Sequence, residues 1–170
     1  METVYEKACG IDVHKDLIVS CVIVKGRRQI RSFGTMTRDL LELTAWLKET
    51  GCQMTAMEST GSYWKPVYNL LEAEGIPAMV VNAQHIKNVP GRKTDVKDSE
   101  WIADLLRHGL LRASYIPARD QRELRELVRY RKSMIEERAR EFNRVQKVLE
   151  GANIKLGSVV SNIEGKSATA

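Results

Sequence analysis

Residues 8–14 alternate small or polar side chains (Ala8, Gly10, Asp12, His14) with apolar ones (Cys9, Ile11, Val13). A period of two predicts a strand, and it sets the carboxylate of Asp12 inside that strand. His14, Lys15 and Asp16 form a tight connection to a second strand over 17–24, rich in β-branched residues. Lys25-Gly26-Arg27-Arg28 then turns into a third strand near 29–33, giving an antiparallel meander. Leu40, Leu43, Thr44 and Leu47 share one face of a helix over 38–49, with Thr37 as its cap and Gly51 as its stop. Residues 53–59 read as a strand in which Glu58 has the parity of Met54 and Ala56, at the carboxyl end. The spacing of Tyr63, Val67, Leu70 and Leu71 predicts a helix over 63–74, with Pro66 tolerated in its first turn. A fifth strand follows at 76–82, then a loop over 83–93.

Residues 92–108 predict the helix on which the chemistry turns, with Thr94 as N-cap and Gly109 as stop. At about 100° per residue, Asp95 and Asp98 fall on the stripe of Ile102, Leu105 and Leu106. Two acids in a first turn also suit the helix dipole, so capping accounts for their presence but not for their place on the stripe. Three strands, helix, strand, helix, strand and helix make an α/β fold with a mixed five-stranded sheet flanked by helices. Ligands in such sheets gather at the carboxyl ends of parallel strands, where Glu58 lies.

Beyond residue 117 the period changes. Leu124, Val128, Arg131, Ile135, Arg138, Phe142, Val145 and Leu149 follow alternating steps of four and three, and six of the eight are apolar. This heptad seam predicts a long helix over 118–150 and a coiled coil, with signals fading over 151–170. The expected division is a catalytic domain over 1–117, the long basic helix, and a poorly structured end that opens a missing carboxyl-terminal domain.

The 170 residues, 43% hydrophobic and 29% charged, have ordinary globular composition with room for one full core. No apolar run approaches a membrane span, and no signal-peptide pattern opens the chain, so a cytoplasmic protein without a membrane partner is expected. Cys9, Cys21 and Cys52 are an odd count without C-x-x-C spacing, which supports neither disulfides nor zinc. Of the net charge of +5, residues 1–118 carry +1 and residues 119–170 carry +4. The basic last third suits a polyanion.

Asp12, Glu58, Asp95 and Asp98 are the candidate catalytic and metal-holding residues. Like charges at about 4 Å repel by roughly 4 kcal/mol at an effective dielectric of 20, so four ionised carboxylates brought together demand cations or protons. Two Mg²⁺ or Mn²⁺ ions would neutralise them, and hard oxygen ligands suit those ions better than zinc. Such a site does phosphoryl chemistry.

Three segments carry a resemblance: Gly10-Ile11-Asp12-Val13-His14-Lys15, Glu58-Ser59-Thr60-Gly61-Ser62-Tyr63 and Lys93-Thr94-Asp95-Val96-Lys97-Asp98. In this order they resemble the signature segments of the DEDD transposases of insertion sequences, also called bridge-RNA-guided recombinases. The similarity runs from residue 8 to about 117, with the long helix following in the expected place. It implies a ribonuclease-H-like, RuvC-like fold in which Asp12, Glu58, Asp95 and Asp98 hold divalent metal. It also implies recombination of the element's DNA with a target, guided by a non-coding RNA, in an assembly of several subunits. A serine nucleophile is expected from a carboxyl-terminal domain outside this chain.

His14 and Lys15 are placed to touch a phosphate, or are simply solvated turn residues. Arg92, Lys93 and Lys97 surround the aspartate pair and suit phosphate clamps, although lysines at helix openings are commonly just exposed. Arg122, Arg125, Arg129 and Lys132 on the long helix could follow a nucleic-acid backbone, while the acids among them also fit a solvated, salt-bridged helix. Tyr63, Trp64, Tyr68 and Trp101 read as core rather than as stacking platforms. An actin-like or sugar-kinase ATPase would also begin with a strand aspartate, but Val13-His14-Lys15 lacks the glycines of its phosphate turn. A non-catalytic nucleic-acid-binding and oligomerisation module, homo-oligomeric through the heptad helix, is the remaining alternative.

Overall fold

The structure is a computed structural model that describes residues 2–89, 97–160 and 165. Strand β1 (Lys7–Val13) pairs antiparallel with β2 (Ile18–Val24), and β2 pairs antiparallel with β3 (Arg27–Phe33). The second hairpin closes on Lys25 and Gly26, both at positive φ (48° and 79°), as a two-residue turn matched to strand twist requires. Strand β4 (Met54–Glu58) lies parallel to β1, and β5 (Ala78–Val81) parallel to β4. The sheet order is β3-β2-β1-β4-β5, the mixed five-stranded sheet expected from the order of elements.

Alternation along β1 separates two cores. Cys9 and Ile11 join the cluster of Ile18, Leu43, Leu47, Met57 and Leu71, supplied in part by helices α1 (Thr37–Thr50) and α2 (Trp64–Ala73). Ala8, on the opposite face, joins Ala56, Val81, Ile86, Ile102, Leu105 and Leu106, from helices α3 (Ala83–Asn88) and α4 (Asp98–Arg107). Ala103 of α4 also packs on Cys21 and Ile23 of β2. The centre of that face is Gly10: a Cβ there would stand 2.1 Å from the carbonyl oxygen of Ser99 and 2.4 Å from the amide nitrogen of Ala103. Only a residue without a side chain lets the α4 backbone sit directly on β1.

Four local readings change. Thr37 is the first residue of α1 rather than its cap; Met36 precedes it with extended backbone, and its N–H donates to Asp39 Oδ2 at 3.2 Å. Residues 83–88, expected in a loop, form α3, because the Asn82 side chain accepts from the Gln84 N–H at 2.8 Å and caps a turn. Tyr63 lies outside α2 and is 47% exposed, so it is not core. Helix α4 starts at Asp98, with Lys97 extended (φ −62°, ψ 149°) at the cap position that Thr94 was expected to hold. Thr94 and Asp95 themselves lie outside the described residues.

The chain divides into two units, Met1–Ile116 and Pro117–Ala170. Among the described residues the second holds helix α5 (Arg119–Gly151) and a short 3₁₀ turn at Leu156–Ser158. No residue of α5 is buried, and its surface carries ion pairs such as Arg119 to Glu123 at 2.9 Å. No described helix is long and apolar enough to cross a membrane.

Replacing Gly10 by Ala should lower stability by about 3 kcal/mol or more, since the added methyl meets backbone rather than a yielding side chain. Urea unfolding of Gly10→Ala beside the parent protein reads this, and an unchanged midpoint would show that α4 does not sit where described.

Candidate carboxylate site

Asp12 follows Ala8 and Gly10 on the α4 face of β1, one residue from the strand's end. Glu58 ends β4 with the parity of Ala56, which packs in the same α4-side cluster. The parallel ladder runs through Gly10↔Ala56 and Ile11↔Met57, so the next step in register sets Asp12 beside Glu58. Asp98 is the first residue of α4, and the seat on Gly10 brings that helix's opening turn to the edge where β1 ends. Three of the four predicted carboxylates therefore converge on one edge of one sheet face. The fourth, Asp95, lies outside the described residues with Arg92 and Lys93.

The electrostatics agree with the topology. Burial pushes the Asp12 carboxyl above its ordinary pKa; His14 opposes the rise, and the negative charges of Asp98 and Glu58 add to it. His14 Nε2 lies 3.0 Å from Asp12 Oδ2, whose side chain is 22% exposed. Glu58 accepts a hydrogen bond from the Thr60 hydroxyl. The neighbouring acid Glu100 is drawn away, its Oε2 accepting from Arg28 Nη1 at 2.8 Å.

Among the described residues, no three His, Cys, Asp or Glu side chains are grouped tightly enough to hold an ion as they stand. The donor set nevertheless fits a hard divalent cation. It is all carboxylate oxygen, and the pKa of its half-buried member Asp12 is raised, first by burial and then by the like charges of Asp98 and Glu58, a strain that a bound cation would relieve. Thiols are poor candidates here: burial raises Cys9 well above its ordinary value and pushes Cys21 and Cys52 up to about 11.

The basic candidates divide between the two units. Lys15, in the β1–β2 connection, and Lys97, next to Asp98, are exposed at the carboxylate edge. Arg125, Arg129 and Lys132 are exposed on α5, Lys132 with Glu136 at 3.8 Å, whereas Arg122 Nη1 donates to the Pro117 carbonyl at 2.7 Å. Trp101 is buried, and Trp64 meets Tyr68 edge-on at 5.9 Å beside the core, as expected of core aromatics. Two supporting contacts were not foreseen, His14 to Asp12 and Thr60 to Glu58. In each pair the polar residue follows two positions after a carboxylate at a strand end, which is the signal that would have found them.

The sheet is thus five-stranded and mixed, with acidic side chains at the ends of its central parallel pair. A family model described as transposase, that of the IS110-type DEDD enzymes, matches residues 9–154, and the chain belongs to that family. No curated protein matches the chain. Among solved structures the chain is similar to T. thermophilus RuvC in complex with a Holliday junction substrate, at 11% identity and a TM-score of 0.45, over 65% of this chain and 100% of that one.

Proposed function

We propose that this transposase domain cuts DNA phosphodiesters in a divalent-metal-dependent reaction during insertion-sequence transposition, with Asp12, Glu58, Asp95 and Asp98 as the metal-holding set. The observation that carries this reading is the half-buried Asp12, raised in pKa by burial and by the nearby charges of Asp98 and Glu58 at the carboxyl edge of β1 and β4. Bound there, Mg²⁺ or Mn²⁺, as two ions for four carboxylates, would supply charge neutralisation and Lewis-acid polarisation of the phosphate. His14 holds the Asp12 carboxylate in place, and Thr60 does the same for Glu58. Lys15 and Lys97, with Arg92 and Lys93, steady the flanking phosphates. Guidance by a non-coding RNA and strand exchange between element and target belong to the same reading through the family.

Helix α5 adds assembly. Val128 and Ile135 of its heptad seam are 58% and 47% exposed, and Leu127, Met134 and Val148 widen the stripe on one side. Copies of the chain pair through this stripe, while Arg125, Arg129 and Lys132 face nucleic acid. That exposed basic helix is also what a non-catalytic binding and oligomerisation module would show.

Calorimetric titration with Mn²⁺ separates the two readings. The parent protein should bind saturably, and Asp12→Asn and Asp98→Asn should each weaken binding by about tenfold or more, the scale on which a charged ligand is lost. Equal affinity in all three proteins would leave the binding module as the better account. For α5, sedimentation equilibrium of Ile135→Glu should show a shift toward monomer relative to the parent; an identical mass distribution would remove the heptad pairing.

A further inference from the structure

A second concavity opens at the same strand edge, on the other side of the sheet. Its floor is Val13, Ile18, Leu40 and Val67, where β1, β2, α1 and α2 meet, and its volume is about 240 Å³. Three of these floor residues are buried members of the main core, and Val13 packs against it. Its polar lining is different in kind: His14 and Lys15 from the β1–β2 connection, Ser62 and Tyr63 from the segment before α2, and no acidic residue among the described lining. Tyr63 is not held in the core: it lines this cavity and is 47% exposed. His14 belongs to both places, since it lines this cavity and its Nε2 also contacts Asp12.

Size and chemistry select the occupant. Pockets that enclose a whole drug-sized ligand span roughly 300–1,000 Å³, so this one suits something smaller, on the scale of a single aromatic heterocycle. An apolar floor with an aromatic residue in the lining suits a flat π-system. Hydroxyl, imidazole and ammonium groups in the polar lining suit its polar edge and an attached phosphate. Another cavity, about 530 Å³ beside β5, has no charged residue among its described lining and shares no residue with the carboxylate edge.

We propose that this cavity receives one unstacked base of the DNA strand being cut. Tyr63 stacks on the base, Lys15 meets the phosphate beside it, and His14 links the base pocket to Asp12. This deepens the proposed function and rests on it, because the base is that of a nucleotide flanking the phosphate held at the carboxylates. The arrangement makes the domain select a locally unpaired strand, since a base must leave its stack to enter.

The test compares two fluorescein-labelled single-stranded DNAs, one with all its bases and one abasic along its centre, bound by the full chain and followed by anisotropy. Stacking on an aromatic ring contributes about 1–3 kcal/mol per base, so the parent should prefer the base-bearing strand roughly 5- to 150-fold. Tyr63→Ala should lose most of that preference while holding the abasic strand as the parent does, and Tyr63→Phe should retain it. A preference untouched by Tyr63→Ala, equal loss on both strands, or no binding of the base-bearing strand overturns the proposal. The Mn²⁺ affinity of Tyr63→Ala, expected to equal the parent's, keeps the two readings apart. Loss of base preference with Mn²⁺ binding intact speaks for the pocket, whereas Mn²⁺ binding indifferent to Asp12→Asn sinks the metal site whatever the pocket does.

Discussion

The seat of α4 on Gly10 is the contact on which the rest depends. A helix separated from a sheet by side chains would hold its opening turn well clear of the strand ends, and Asp98 with it. Here the Ser99 carbonyl and the Ala103 amide occupy the space a Cβ would need, so the helix rides on bare β1 backbone. Small residues extend the seat, with Ala103 buried against Cys21 and Ala8 and Ala56 beneath the α4 face. The first turn of α4 is thereby fixed in the plane where β1 and β4 end. Glycine at the centre of a strand is otherwise unfavourable, since it has the most backbone freedom to lose and nothing to pack. Its presence at Gly10 makes sense as the condition for close approach.

That approach has an electrostatic consequence. Packing the helix opening against the strand ends buries Asp12 and brings other negative charges toward it, both of which oppose ionisation. A fold selected for stability alone would place an asparagine or a serine at such a position. The contacts of His14 with Asp12 and of Thr60 with Glu58 moderate the strain without removing it, because a charge that is only partly countered stays unfavourable in a half-buried place. On the proposed reading a cation would relieve that strain, and an oxygen-only donor set would favour a hard one.

Much of this was legible in the residues, for reasons that are local. The parity of Asp12 with Ala8 and Gly10, and of Glu58 with Met54 and Ala56, assigns both acids to one face as soon as the strands are recognised. The Lys25-Gly26 turn and the left-handed Gly51 stop are read as directly. What escaped depends on neighbours distant in sequence or on very short elements. Helix α3 is six residues long, too short for a periodic stripe, and only the Asn82 cap marks it. The start of α4 was placed early because Thr94 and Asp95 are good capping residues, whereas the helix opens at Asp98 after an extended Lys97. Tyr63 has helical spacing with Val67, yet it precedes the helix and turns to the surface. That Gly10, among several small strand residues, receives a helix backbone is decided by packing, which no one-dimensional pattern records.

The central claim is that this fold holds Asp12 at the expense of its own stability so that a divalent cation can bind. The thermal midpoint of Asp12→Asn beside the parent, near neutral pH, without divalent ions and then with Mn²⁺, tests it most directly. The Asp12 pKa is raised in the folded chain, so the folded state binds more protons than the unfolded one between the ordinary carboxylate range and that raised value. Stability therefore falls as pH rises through this window, and above it the whole penalty of the charge is present. Without divalent ions Asp12→Asn should melt above the parent; with Mn²⁺ the parent should gain more than the variant, narrowing or reversing the gap. A variant that melts below the parent in the absence of metal, or gains as much as the parent from Mn²⁺, would contradict the account.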